Sequence, residues 1–255
     1  MRRPLVVANW KMHRTVAQTR DFIARFRPLV QTITRTEIVL TPPFTALAAA
    51  QSALEGSIVT LAAQNMHYAE QGAYTGEISP LMLSELGCKY VILGHSERRT
   101  QFQESDSFIN QKLQSAYAHD LIPILCVGEN LNQREAGQTE QVLEGQLRAD
   151  LEGLSAEQIR QLVIAYEPLW AIGTGQTASA RDAQTGASFI RQQIAGRYGR
   201  PTAQAVRAQY GGSVKPENAA VLLAQPDVDG ALVGGASLDP DEFAKIVRAA
   251  EGLAT

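Results

Sequence analysis

Leu162-Val163-Ile164-Ala165-Tyr166-Glu167-Pro168 is an apolar run without polar alternation, stopped by a carboxylate and a proline. A strand with one wet face alternates apolar and polar residues, whereas a parallel strand covered on both faces reads as a continuous run. Downstream, Gly173-Thr174-Gly175 forms a glycine-rich loop, and Ser179 with Asp182 gives a helix start signal. Residues 162–182 therefore read as strand, loop and helix start: one βα unit.

Working outward, the same unit recurs along the chain. The apolar runs are Leu5–Asn9, Glu37–Thr41, Val59–Gln64, Tyr90–Gly94, Ile122–Val127, Leu162–Glu167, Val206–Tyr210 and Asp229–Gly234. Helical patterns lie between them. Thr15 with Gln18 resembles a capping box, followed by a stripe of Val16, Phe22, Ile23, Phe26, Leu29 and Val30. Ser79-Pro80 starts a helix that Gly87 stops, and Asp239-Pro240 with Glu242 starts the last one. Eight βα units imply right-handed crossovers and a parallel sheet. In this length they favour an α/β fold of the closed (β/α)8 TIM barrel type, although periodicity alone also admits an open doubly wound sheet. No linker divides residues 1–255, so a single domain is expected.

The chain has 255 residues, close to the roughly 250 of such a barrel. With 45% hydrophobic and 19% charged residues it can fill a large core. The net charge of -3 points to no nucleic acid and no membrane partner, so a small anion would need a local pocket of lysine or backbone N–H groups. The run after Arg2 and Arg3 is too short for a signal peptide, and no run has transmembrane length. A soluble cytoplasmic protein is expected. Cys88 and Cys126 sit in apolar stretches without a CxxC or zinc spacing, and read as buried thiols.

Function in such barrels gathers where strands end. The first strand ends in Asn9-Trp10-Lys11, the fourth in Gly94-His95-Ser96-Glu97 and the sixth in Glu167-Pro168; the seventh and eighth run into Gly211-Gly212-Ser213 and Gly234-Gly235. One Lys, one His and one Glu thus meet glycine-rich loops at one mouth, a set suited to acid–base chemistry on an anion. Each has a plainer reading. Lys11, one of only five lysines, is either a solvated loop residue or a fixed charge for phosphate and a developing oxyanion. Asn9 is a loop cap or a donor to substrate. His95, at a strand-to-helix passage, is a structural histidine or a neutral donor to a carbonyl. Glu167 is a strand-end ion-pair member or a base, since a carboxylate there is costly to bury unless paired or used. Glu97 could orient Lys11 or His95, while Arg98 and Arg99 fit structural ion pairs. His13, His67 and His119 read as surface or interface residues. Gly173 to Ala178 matches GxGxxA but follows its strand by about six residues rather than directly, so a nicotinamide site is rejected.

These segments resemble the triosephosphate isomerase family. Asn9-Trp10-Lys11-Met12, Val91 through Arg99, Ala165 through Gly175 and Tyr210-Gly211-Gly212-Ser213-Val214 match its signature stretches in order along essentially the whole chain. The resemblance implies interconversion of glyceraldehyde 3-phosphate and dihydroxyacetone phosphate through an enediolate, in glycolysis and gluconeogenesis. Glu167 would be the base beside a neutral His95, the pairing for which this family is itself the standard example. Lys11 would supply charge and Asn9 would contact substrate. Backbone N–H groups at Gly173, Ser213, Gly234 and Gly235 would hold the phosphate, with no metal or cofactor. Pro168 to Ala178 would be a lid with an Ala171-Ile172 tip, met by Tyr210 and Ser213, that shields the enediolate from water. Loop 64–77 is long against roughly 2–6 residues for a usual βα loop. The family implies that it enters a second subunit of a homodimer with Thr75 near the partner's site, and Met66 and Tyr74 are expected to make apolar contacts there. Ala8, Arg14, Gln103 and Gln176 depart from residues common in the family, glycine in the first three cases and lysine in the fourth.

Two rivals follow. A Schiff-base aldolase needs a desolvated lysine deep in the barrel, whereas the sixth strand ends in Glu and Lys11 is the only lysine at a predicted strand end. An inactive scaffold would be marked by loss of Glu167, His95 or Lys11, and all three are present.

Overall fold

The apolar runs form strands because only a parallel ladder satisfies their backbone while covering both faces. In the computed structural model, which describes residues 2–172 and 178–253, they are Leu5–Asn9 (β1), Glu37–Thr41 (β2), Val59–Ala63 (β3), Tyr90–Leu93 (β4), Ile122–Val127 (β5), Val163–Tyr166 (β6), Arg207–Tyr210 (β7) and Gly230–Val233 (β8). Sequence neighbours pair in parallel, and β8 returns to β1 with Leu5 opposite Gly230 and Ala8 opposite Val233. The sheet is closed, which removes the open alternative. The fold is a (β/α)8 TIM barrel.

Several expected strands are a residue too long. Glu167 still donates its N–H to the Val127 carbonyl at 2.8 Å, but it and Gly94 have left the ladder. Gly94 does so through φ +69°, a left-handed turn that a side chain would resist.

Alternate strand residues serve two cores. Leu5, Val7, Val39, Ile92, Val163 and Leu232 fill the barrel interior, while Val6, Ala8, Ile38, Leu40, Val91 and Leu93 pack under the helices. Each fully buried aliphatic side chain contributes about 2 kcal/mol.

The helix starts follow the sequence signals. Thr15 and Gln18 form the capping box of the helix Val16–Val30, Ser79 caps Pro80–Glu85, and Ser179 with Asp182 caps Ala180–Tyr198. Asp239 accepts from the Asp241 and Glu242 N–H groups at 2.9 and 3.0 Å. Val16 alone leaves its stripe: as the first helical residue it is exposed. Both cysteines are free and buried. Among the described residues no helix is long and apolar enough to cross a membrane.

Loop 64–77 does not behave as one piece. Residues 70–77 are exposed, whereas Asn65, Met66 and His67 are buried. Met66 packs wholly inside its own chain's core, so the expected outward contact falls to Tyr74. His67 is likewise no surface residue: its ring stacks 4.4 Å from Tyr68 and 4.0 Å from Tyr74.

Candidate active site

Five strands end around one cavity of about 640 Å³. Asn9, Lys11, His95, Glu167, Ser213, Gly234 and Gly235 all line it, so the candidates read from separate strand ends come together. Gly173 lies outside the described residues, as does the middle of the Pro168 to Ala178 segment.

β4 positions His95. After the left-handed turn at Gly94, His95 caps the short helix Ser96–Gln101, and its Nδ1 accepts from the Glu97 N–H at 3.2 Å. Nδ1 therefore offers a lone pair, and the ring proton of a neutral imidazole sits on Nε2. Nε2 is 3.0 Å from Oε1 of Glu167.

Glu167 is carried by the end of β6, and its Oε2 accepts from the Ser96 N–H at 2.8 Å. Close packing of glycine beside it leaves it room. A Cβ on Gly211 would stand 2.9 Å from Glu167 Cγ, and one on Gly128 would stand 1.7 Å from the Glu167 carbonyl oxygen. Burial disfavours the carboxylate, but His95 and the Ser96 amide outweigh it and hold the Glu167 pKa below its ordinary value. Burial likewise opposes the imidazolium, while Glu167 pulls the His95 pKa upward. The Glu97 N–H at Nδ1 favours the neutral ring, since an imidazolium would set two N–H groups against each other there.

Lys11 sits on the β1 loop with φ +50°, its N–H donated to Oδ1 of Asn9 at 3.1 Å. Its Nζ lies 2.6 Å from Oε1 of Glu97, whose Oε2 is 3.6 Å from His95 Nδ1. Glu97 thus holds Lys11 through its carboxylate and His95 through its own N–H. Arg98 pairs with Glu104, and Arg99 with Asp106 and Asp150, as structural ion pairs.

Beside the Lys11 loop, after β8, the turn Gly235–Leu238 starts directly after Gly234, and Ser237 closes it by donating its N–H and Oγ–H to the Gly234 carbonyl at 2.9 and 2.6 Å. Nothing lies within 4 Å of a Cβ built on Gly235, so the wall is open to a ligand.

A family model described as triosephosphate isomerase matches residues 4–250. The chain belongs to the triosephosphate isomerase family. It is 57% identical to the triosephosphate isomerase of Moorella thermoacetica over 97% of this chain and 99% of that protein. It is 55% identical to that of Symbiobacterium thermophilum, over 98% of each, and 52% identical to that of Dictyoglomus turgidum, over 97% of this chain and the whole relative.

Sequence reasoning missed Glu129. This fully buried carboxylate after β5 accepts from the Tyr166 hydroxyl at 3.0 Å and from Trp170 Nε1 at 2.9 Å, anchoring the start of the segment expected to be the lid. Its signal was present: Val127-Gly128-Glu129 is another apolar strand ending in a carboxylate. The expected lid tip divides in two. Ala171 is buried in the core, and only Ile172 lines the cavity.

Proposed function

We propose that this chain interconverts D-glyceraldehyde 3-phosphate and dihydroxyacetone phosphate by moving a proton between C1 and C2 through an enediolate. The observation that carries the reading is the buried His95–Glu167 contact of 3.0 Å beside Lys11, in a chain of this family. Glu167 acts as the base. Both its oxygens are engaged, one by His95 and one by the Ser96 amide, so substrate must displace the His95 contact before the carboxylate reaches carbon. The Nε2–H so released donates to the substrate carbonyl, and a neutral donor there stabilises the enediolate oxygen while remaining able to pass protons between O1 and O2.

Lys11 supplies positive charge to the developing oxyanion and Asn9 holds its loop through the Lys11 amide. The phosphate is held by backbone N–H groups of Ser213, Gly234, Gly235 and Gly173, the last outside the described residues. The reaction needs no metal or organic cofactor, because the pair moves protons alone. The setting is cytoplasmic sugar-phosphate metabolism.

The functional unit is a homodimer joined through loop 64–77, including Thr75. The support is apolar surface on neighbouring loops: Met12 is 95%, Phe102 63% and Tyr74 43% exposed in the single chain. Thr75→Arg should shift the sedimentation coefficient to that of a monomer; an unchanged dimer would reject this interface.

A coupled dehydrogenase assay tests the chemistry. Wild type should turn over rapidly, with kcat lowered about 10²–10⁴-fold in Glu167→Asp and about 10²-fold in His95→Gln. A folded, dimeric wild type without turnover would sink the reading and favour a scaffold.

A further inference from the structure

Arg14 has no part in the proton transfers, yet it occupies an unusual place. Its φ is +77°, a backbone region that L side chains adopt at a cost. What compensates is a set of side-chain contacts that span two loops. The guanidinium lies 5.0 Å from the Trp10 ring centroid and 4.6 Å from that of Phe22, and Nη2 donates to the Leu238 carbonyl. Nη1 reaches the Gln18 carbonyl at 3.4 Å. Burial lowers the Arg14 pKa, opposed by the Asp21 and Asp239 carboxylates, and the group stays charged.

The loops joined in this way follow the neighbouring strands β1 and β8 and line the same cavity side by side. Trp10 precedes Lys11, and Leu238 ends the turn that begins beside Gly234 and Gly235. Trp10 Nε1 also donates to the Ser237 carbonyl at 3.1 Å. A second donor on the next carbonyl, from a guanidinium lying over the same indole, doubles the tie between the two loops.

We propose that Arg14 is a positioning residue for phosphate binding: it ties the turn that carries the Gly234–Gly235 amides to the Lys11 loop beside it, where a Cβ built on Gly234 would stand 3.6 Å from Lys11 Cε. The inference rests on the isomerase reading above and adds to it a residue whose effect falls on binding rather than on proton transfer.

Two variants separate the bridge from the strained backbone. Arg14→Met keeps apolar bulk over the rings without a donor, and Arg14→Gly removes the side chain while relaxing the left-handed φ. Wild type and both variants are assayed for turnover, and inorganic phosphate is titrated into each by calorimetry and as a competitive inhibitor. Loss of one hydrogen bond should raise KM and the phosphate Kd together about 3–10-fold in both, with kcat within about twofold. Arg14→Lys, which keeps a donor, should fall between them and wild type. The proposal is overturned if Arg14→Gly binds phosphate as wild type does, or if kcat falls while phosphate affinity holds. Should Arg14→Met lose its circular-dichroism signal, the glycine variant decides alone. A wild type that binds phosphate but does not isomerise rejects the functional reading and leaves this inference standing, because calorimetry reads it directly.

Discussion

The two mouths of the barrel use the same kinds of group to opposite ends. At the N-terminal mouth Glu37 accepts from Lys89 Nζ at 2.6 Å and Arg207 Nη1 at 2.8 Å, and Arg207 also donates to the Tyr90 hydroxyl at 2.9 Å. Beside it, Arg191 binds Asp227 and Asp229, and Arg2 also holds Asp229. Each of these charges has a partner within the chain, and none needs a ligand. At the C-terminal mouth Glu167 and Lys11 are also paired, but beside an open cavity, and each pairing can be exchanged for a substrate atom. A buried charge that is saturated by rigid partners is a structural element, whereas one held beside empty space is available for chemistry.

The sharpest way to break that contrast is to neutralise one carboxylate at each mouth. Glu167→Gln should lower kcat about 10³–10⁴-fold, because a general base is lost. Its melting temperature should change little, since the amide oxygen can still accept from the Ser96 N–H. Glu37→Gln should do the reverse. Leaving Arg207 and Lys89 without their carboxylate should cost about 3 kcal/mol of unfolding free energy, with kcat within about twofold. Denaturant titration and the isomerase assay read both variants. A Glu37→Gln enzyme that is stable but slow would remove the distinction between the mouths.

Acid should act on the N-terminal mouth next. Burial opposes the Glu37 charge, but the bonds from Lys89 and Arg207 hold its pKa at about 2, against an ordinary 4.5. A carboxylate depressed on folding adds stability above its unfolded pKa and loses it as pH falls through the folded one. Urea midpoints of wild type should therefore decline between about pH 4.5 and 2. After a discount for the part of the group that water reaches, the share due to Glu37 is roughly 2 kcal/mol. That share should be missing from the pH dependence of Glu37→Gln; identical slopes would place the acid sensitivity elsewhere.

How far this was legible in the sequence follows from what each feature depends on. Burial on both faces is written into composition, so runs such as Leu162–Tyr166 could be found with little besides a ruler. The convergence of Lys11, His95 and Glu167 needed only the closed topology, because a barrel brings all strand ends to one mouth. Loop residues were harder. Met66 and Ala171 looked like surface apolar groups, but both are buried in the core. The departures from family glycines at Arg14 and Gln103 gain a physical meaning only from the backbone: their φ values are +77° and +55°, where glycine is the relaxed choice. Steric clearance was least visible, because it depends on how closely two distant strands approach.

Gly211 shows that last point and supplies the smallest of the expected effects. It follows β7, and its N–H donates to the Tyr166 carbonyl at 2.7 Å, which draws it against the neighbouring strand end. A methyl group there would meet Glu167 Cγ at 2.9 Å and the Tyr166 carbonyl oxygen at 3.2 Å. The carbonyl belongs to the sheet and cannot yield, but the carboxylate side chain stands beside a cavity and can swing. Gly211→Ala should therefore shift strain onto Glu167 rather than onto the fold. We expect kcat/KM to fall about tenfold, the equivalent of about 1.4 kcal/mol, with the urea midpoint nearly unchanged. If the variant instead loses stability and keeps its activity, the sheet has given way before the carboxylate. The C-terminal mouth would then be as rigidly packed as its counterpart, and the freedom ascribed to Glu167 would have to come from substrate binding itself.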